Sequence, residues 1–193
     1  MEDKASTRDQ IMAGARRMFA EKGFRASMRD IAQAAGISTT SLIFWYFPDK
    51  EALWSAVIQE ASPLEQVQHV FDGLPPGTDP ASLVSRLVSV YFDVYGDPDN
   101  RRILFQMLSH SSQDSVRDVL RRQLTRVMEQ EMADWVRRGQ QIQAFRQDVP
   151  ADFLAQAVLG ILFALVTRWH VEGHLPWDQE DVIRHVNRLL NDR

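Results

Sequence analysis

Residues 27–50 read SMRDIAQAAGISTTSLIFWYFPDK, and this stretch decides the fold of the first part of the chain. Ser27 is a good helix cap, and the stripe that follows it has helical spacing: Met28, Ile31, Ala32 and Ala35. Gly36 can take the positive φ that a tight turn needs, Ile37 can plug the junction, and Ser38 can cap a second helix. The pattern predicts a helix-turn-helix.

Two helices this short cannot bury their own faces, so a third wall is required. The preceding segment predicts a helix that begins at Ser6 or Thr7, with Gln10 placed for a capping box behind Thr7. Its apolar stripe is Ile11, Ala15, Met18 and Phe19, and Gly23 ends it.

Helical periodicity continues through the rest of the chain, and we find no strand signal in the sequence. The predicted helices cover about 50–61, a segment that begins at Asp79 and Pro80 and ends before Gly96 and Pro98, about 101–109, about 115–141, 151–172 and 178–190. The fold class is therefore predicted to be all-α. The segment 151–172 is apolar nearly all round, which requires burial on every side, in part against another subunit.

Composition limits the functional classes. The chain has 193 residues, of which 45% are hydrophobic and 25% charged, and no cysteine; thiol catalysis, disulfides and cysteine-based zinc sites are excluded. Residues 1–50 hold eight Lys/Arg and six Asp/Glu, whereas the remainder holds fourteen and twenty. A mildly basic head on an acidic body is consistent with a nucleic-acid partner for the head. The apolar run at 158–166 is too short to span a bilayer, so we expect a soluble, cytoplasmic protein without a membrane partner.

The first sixty residues resemble the DNA-binding domain of the tetracycline-repressor (TetR) family of bacterial regulators. The resemblance rests on SMRDIAQAAGIS, on the aromatic block IFWYF and on PDKEALW, which together cover about a third of the chain. It implies a three-helix helix-turn-helix head over residues 1–50 and a helical effector-binding and dimerisation bundle over residues 51–193.

The resemblance also implies which residues meet DNA. Ile43 and Phe47 belong to the core, whereas Trp45 and Tyr46 pack their rings and offer an N–H or O–H to a phosphate. Ordinary core packing is the alternative for those two rings. The remaining predicted contacts are Ser27 and Lys50 to phosphate, Arg29 to a base edge or a phosphate, and Thr39, Thr40 and Ser41 to bases.

The sequence departs from the family pattern at two points in the recognition helix. The family usually has a glycine near Thr40 and one residue fewer between Ser38 and the aromatic block, and its usual tyrosine falls at Phe44. One extra residue rotates the base-reading positions by about 100°.

For the body, the resemblance implies a ligand-responsive regulator, most often a repressor. Its partners are a palindromic double-stranded operator, a small-molecule effector and a second copy of the chain, bound through the last two helices, Ala151 to Leu190. No cofactor is expected. Seven side chains are candidates for an effector pocket, with ordinary core packing as the alternative for each: Phe92, Tyr95, Phe105, Met107, Met128, Trp135 and Phe163.

Four other interpretations compete with this one. His170 and His174 stand four residues apart, as a metal site requires, but no third ligand is evident and no metal is predicted. The chain shows no nucleophile–base pair or phosphate loop, so an enzyme is disfavoured. A helix-turn-helix used for protein contacts remains an alternative. The arginines within 117–126 suggest a second nucleic-acid surface, but a solvated helix face is the simpler interpretation.

Overall fold

The computed structural model of the chain describes residues 6–63, 66–67, 69, 78–109, 121 and 130–191. The helices are α1 (Thr7–Lys22), α2 (Met28–Ala34), α3 (Thr40–Tyr46), α4 (Lys50–Ala61), α5 (Pro80–Gly96), α6 (Pro98–Ser109), α7 (Ala133–Gln141), α8 (Ala151–Glu172) and α9 (Gln179–Leu190), with a 3₁₀ turn at Gly23–Arg25. None of the described residues forms a strand, which confirms the predicted all-α fold.

The chain divides into two compact units. One contains the described residues of Met1–Ser62 and Pro98–Leu120, and the other contains those of Pro63–Asp97 and Arg121–Arg193. We call them the head unit and the body unit. The compact head thus extends past residue 50 to Ser62 and includes α6, while the functional division at residue 50 stays a prediction.

The head unit has its own hydrophobic core, to which α1, α2, α3, α4 and α6 all contribute. Phe19 and Trp54 meet edge to face at its centre, with ring centroids 4.7 Å apart. Helix α6 enters this core through Ile103 and Met107, which are 1% and 6% exposed. The Arg16 guanidinium also donates to Asn100 Oδ1 over 2.9 Å. A helix distant in sequence therefore completes the head.

Helix caps follow the predicted chemistry with two corrections. Ser6 caps α1, and its capping-box partner is Asp9 rather than Gln10, because the Asp9 carboxylate bonds back to the Ser6 backbone N–H. Helix α3 begins one residue later than predicted: Thr39, not Ser38, is its N-cap, and the Thr39 side chain makes no capping hydrogen bond.

The body unit is organised around α8, whose bounds are those predicted from the sequence. Its inner side packs with α5, α7 and α9 in one core cluster. Gly139 on α7 allows a close approach, since a Cβ there would lie 2.1 Å from the Phe145 ring. Within the predicted helix 115–141, residue 121 is helical, residues 130–132 form a π-helical turn and α7 follows, while residues 115–120 and 122–129 lie outside the described residues.

Helix α8 is long and apolar enough to cross a membrane by length and composition, and 44% of its apolar window is buried within the protein. Such a helix is weak evidence for a membrane span, because core helices of soluble proteins share these properties.

Candidate nucleic-acid interface

The turn between α2 and α3 has the backbone of a helix-turn-helix. Gly36 lies at φ +68°, as the sequence predicts. The Gly36 N–H donates to Gln33 O over 3.2 Å, and the Ile37 N–H donates to Ala32 O over 3.0 Å. These bonds close the end of α2 in a left-handed cap that redirects the chain into α3.

Helix α1 packs against the end of α2 next to this turn. Gly14 on α1 allows the two helices to come this close, because a Cβ at this position would lie 2.6 Å from the Ala35 backbone nitrogen. The Arg17 guanidinium donates to the Ala34 carbonyl over 2.8 Å and so satisfies a terminal carbonyl of α2. The pair of helices is thus fixed as one rigid piece.

Helix α3 buries one side and presents the other to solvent. Ile43 is fully buried and Phe47, just after the helix, is 6% exposed, as expected for core residues. Trp45, in contrast, is 76% exposed, and its ring meets the Tyr46 ring edge to face at 4.7 Å. Trp45 is therefore not a core residue, whereas Tyr46 is half-buried against the head core.

The recognition helix also exposes two side chains that sequence reasoning did not select. Leu42 is 38% and Phe44 47% exposed. The signal for them was present: LIFWYF is a continuous apolar run, and a seven-residue helix cannot turn all of it toward one core.

The three hydroxyl residues predicted to read bases lie at the start of α3. Thr39 and Ser41 are exposed, and Thr40 is half-buried. Ser41 and Trp45 are four residues apart, so both lie on the helix side opposite Ile43. The structure therefore places Ser41 and Trp45 on one side of the helix, with the exposed Leu42 and Phe44 beside them. We define these four residues as the outward face of α3.

At the start of α2, Ser27 and Asp30 form a complete capping box. The Ser27 hydroxyl accepts from the Asp30 N–H over 3.1 Å, and the Asp30 carboxylate accepts from the Ser27 N–H over 2.8 Å. The hydroxyl and N–H of Ser27, and Lys22, hold the pKa of Asp30 well below its ordinary value of 3.8. Both Ser27 groups proposed for phosphate contact are thus engaged with Asp30 in the DNA-free chain.

The two predicted cations differ in their surroundings. Arg29 is exposed on α2, and its guanidinium has no ion-pair or hydrogen-bond partner within the described part of the chain. The Lys50 ammonium donates to the Phe24 carbonyl and lies 4.3 Å from the centroid of the Phe24 ring. Burial lowers the pKa of Lys50 below its ordinary value of 10.5, while Glu51 acts in the opposite direction.

The candidate pocket residues do not all lie in one place. Phe105 and Met107 belong to the head unit, while Phe92, Tyr95, Trp135 and Phe163 belong to the body unit and Met128 lies outside the described residues.

Within the body unit, three of the candidates belong to aromatic pairs. Phe92 pairs with Trp169 at 5.5 Å, Tyr95 with Tyr91 at 5.7 Å and Trp135 with Phe145 at 5.0 Å. Burial raises the pKa values of Tyr91 and Tyr95. Phe163 is different, since 45% of it faces solvent on α8.

Within the described ranges, no group of three or more His, Asp or Glu side chains is placed to hold a metal ion. His174, which the sequence pairs with His170, is exposed after the end of α8.

The head matches a known family model. Residues 11–57 match the model of the bacterial regulatory proteins of the tetR family. The HTH-type transcriptional repressor Rv1474c of Mycobacterium tuberculosis is 33% identical over 170 residues, which cover 85% of this chain and 82% of that protein. The chain belongs to the TetR family of DNA-binding transcriptional regulators.

Two further similarities agree with this result. The HTH-type transcriptional regulator AcrR of Shigella flexneri is 28% identical over 56% of this chain, and the match spans only about half of AcrR, 51%. The transcriptional regulator FadR of Bacillus subtilis, solved in complex with stearoyl-CoA, superposes with a TM-score of 0.76 at 19% identity, covering 96% of this chain and 98% of FadR. This likeness shows that the fold extends over the whole length.

Proposed function

We propose that this regulator is a repressor that binds a palindromic operator as a homodimer and is released by a small-molecule effector. The observation that carries the proposal is the α2–turn–α3 unit, in which the uncharged helix α3 exposes Ser41, Leu42, Phe44 and Trp45. In such a dimer two recognition helices enter successive major grooves about 34–36 Å apart.

Phosphate contacts would come from around α3, since the segment from Ile31 to Pro48 contains no charged residue. Arg29 is exposed and without a partner among the described residues, so it is available to a phosphate or a base edge. Lys50 would exchange its bond to the Phe24 carbonyl for a phosphate. Ser27, Trp45 and Tyr46 would add neutral donors, and Thr39, Thr40 and Ser41 would approach the bases.

Dimerisation would use the outer side of α8 together with α9, within Ala151 to Leu190. Phe153 and Val171 are 65% and 76% exposed, and Gly160 and Ala164 between them are small and also exposed. These four residues follow one another at spacings of seven, four and seven, which places them on one stripe of the helix. We call them the α8 stripe. A helix that leaves such a stripe uncovered is suited to pack against a second copy of itself.

The effector would act on the effector-binding and dimerisation bundle proposed for residues 51–193, at a site within the body unit. A space lined by Tyr91, Phe92, Leu162, Leu165, Val166, Trp169 and Leu175 lies between α5, α8 and the segment after α8, and it holds only about 10 Å³. An effector that entered here would push α5 and α8 apart and favour a conformation with lower operator affinity. FadR's complex with stearoyl-CoA makes apolar acyl compounds reasonable first candidates.

We further propose that the protein acts in the cytoplasm by binding, without catalysis and without a resident cofactor or metal. A protein-interaction role for the helix-turn-helix is the alternative. Similarity to a family of DNA-binding regulators favours DNA over a protein partner.

A selection of genomic DNA fragments by the full chain tests this proposal. Fragments that bind selectively over scrambled competitor, with an affinity that falls as salt rises, would support it. In Lys50→Ala we expect weaker binding and a salt slope shallower by about one counterion. Lys22→Ala is the matched control, because Lys22 is paired with Asp30 at 3.0 Å. Failure of the chain to select any fragment would contradict the proposal.

A further inference from the structure

The outward face of α3 is almost entirely apolar, although it is placed to read DNA. Three of its four residues, Leu42, Phe44 and Trp45, are exposed by 38%, 47% and 76%. Ser41 adds one hydroxyl, and no charged or amide side chain occurs anywhere in Thr40–Tyr46.

This composition limits what the helix can recognise. Guanine is usually read by Arg or Lys at O6 and N7, and adenine by Asn or Gln at N6 and N7. Helix α3 offers none of these four residues. The only apolar group that a base pair presents in the major groove is the C5 methyl of thymine. An exposed hydrocarbon surface therefore has a single specific partner on DNA.

We propose that α3 selects its operator chiefly by packing Leu42, Phe44 and the Trp45 ring against thymine methyl groups. This inference rests on the proposed DNA-binding function and assigns the chemistry of base recognition within it. Leu42 and Phe44 have no side-chain polar atom, so neither can read a base by a hydrogen bond.

The geometry of α3 suits this role. Ile43 anchors the helix in the head core. Leu42 and Phe44, its two neighbours in the sequence, lie about 100° to either side of it around the helix axis. Trp45 lies on the opposite side from Ile43, with its ring held edge to face by Tyr46 at 4.7 Å and 86°. The Trp45 ring is 76% exposed, so it is accessible to a base. Its indole N–H, at the ring edge, remains free for a phosphate.

The consequence is an operator whose half-site contains T·A pairs beneath α3. Cytosine presents no methyl group, and Leu42 and Phe44 cannot compensate for its absence with a hydrogen bond. Guanine contacts, if the operator has them, would come from Arg29 on α2.

Replacing thymine by deoxyuridine in the selected operator removes only the methyl groups. We expect each replacement beneath α3 to weaken binding of the full chain by about three- to fivefold, the factor that follows from burying one methyl-sized group. The variants Leu42→Ala and Phe44→Ala should bind the operator equally well with thymine or with deoxyuridine at the position that the replaced side chain contacts, because the methyl contact is already lost. Ile142→Ala, which removes a 65% exposed apolar side chain of the body unit, should keep the full deoxyuridine effect.

The controls separate the failure of this inference from failure of the proposed function. Deoxyuridine placed outside the half-sites should leave binding unchanged. If the unmodified operator binds selectively and deoxyuridine within the half-sites has no effect, methyl reading is overturned while DNA binding stands. An equal deoxyuridine effect in Leu42→Ala, Phe44→Ala and the unchanged chain would overturn the assignment to α3. If no operator is selected at all, both proposals fall together.

Discussion

Helices α3 and α8 both leave apolar side chains in solvent, but they do so in opposite settings. Helix α3 has seven residues, of which only Ile43 is buried, and it is held by its neighbours in the head. Helix α8 has twenty-two residues, seven of them buried, and its α8 stripe is lined by the small residues Gly160 and Ala164. The first exposes large aromatic side chains, and the second has small side chains at the centre of a long exposed surface.

The difference teaches that exposed apolar surface does not by itself identify a partner. The charged or uncharged side chains around that surface indicate which partner it suits. Arg29 and Lys50 flank the recognition helix and suit a polyanion, whereas the centre of the α8 stripe carries no charge and suits an identical surface. Each assignment can be tested by placing one negative charge on each helix.

The largest expected effects come from Trp45→Glu and Ala164→Glu. A carboxylate at residue 45 would face phosphates, so operator affinity should fall at least about 100-fold while the dimer persists. A carboxylate at residue 164 would be buried unpaired in the dimer, so the dimer dissociation constant should rise at least about 100-fold. Fluorescence anisotropy measures the first and sedimentation equilibrium the second.

Trp45→Gln and Ala164→Gln are the matched neutral variants, and each should lose much less than its glutamate counterpart. The distinction between the helices would break down if Ala164→Glu stayed fully dimeric, or if Trp45→Glu bound the operator as tightly as Trp45→Gln.

The next effect concerns two glycines: Gly14, which packs against Ala35 beside the turn before α3, and Gly160 in the α8 stripe. Gly14→Ala places a Cβ within 2.6–2.8 Å of Ala35 backbone atoms, which should destabilise the chain by about 1–3 kcal/mol and weaken DNA binding. Gly160→Ala meets nothing within 4 Å in the single chain, so it should be neutral or gain up to about 1 kcal/mol of helix propensity. Thermal unfolding of both variants, at a protein concentration below the dimer dissociation constant, measures the two changes in stability. Equal losses of stability in Gly14→Ala and Gly160→Ala would contradict this prediction.

A smaller effect is expected at the start of α2. Ser27→Ala removes the side-chain half of the capping box and should cost about 1 kcal/mol, measured by urea unfolding. Ser27→Asp keeps a capping oxygen and should recover most of the stability but not the affinity for DNA, since it would repel phosphate. Recovery of both would show that the Ser27 hydroxyl has no role beyond the cap.

The smallest effect is the pH dependence from Asp30. Its pKa is lower in the folded chain than the ordinary value of 3.8, so its stabilising contribution is present above that value and lost as pH falls through the folded value. The melting temperature of the chain should therefore exceed that of Asp30→Asn at neutral pH, and the difference should shrink below about pH 4. A difference that stayed constant down to pH 2 would exclude this carboxylate as its source.

Local sequence signals predicted most of the helices, because a helix begins and ends at capping residues and glycines that can be recognised within a few residues of sequence. The bounds of α8 follow from the apolar run and from Gly173, which lies at φ +78° just after the helix. The Gly36 turn is equally local. The α1 capping box was assigned to the wrong partner because Ser6–Asp9 and Thr7–Gln10 have the same spacing, and only the backbone chooses between them.

Two features could not be predicted because they depend on contacts between distant residues. Within 42–47 every position is apolar, so periodicity cannot tell which residues face the core, and the exposure of Leu42 and Phe44 appears only once α1 and α4 are packed. The placement of α6 in the head depends on Arg16 and Asn100, which are 84 residues apart in the sequence. No pattern within a short stretch of sequence predicts a contact between residues so far apart.

The most direct test of the account is the mass of the complex that the full chain forms with a fluorescently labelled selected operator, measured by sedimentation velocity. The account predicts one duplex bound to an even number of chains, at least one pair, with each pair already formed before DNA is added. A single chain on the duplex, or a complex that persists unchanged on scrambled DNA, would contradict it.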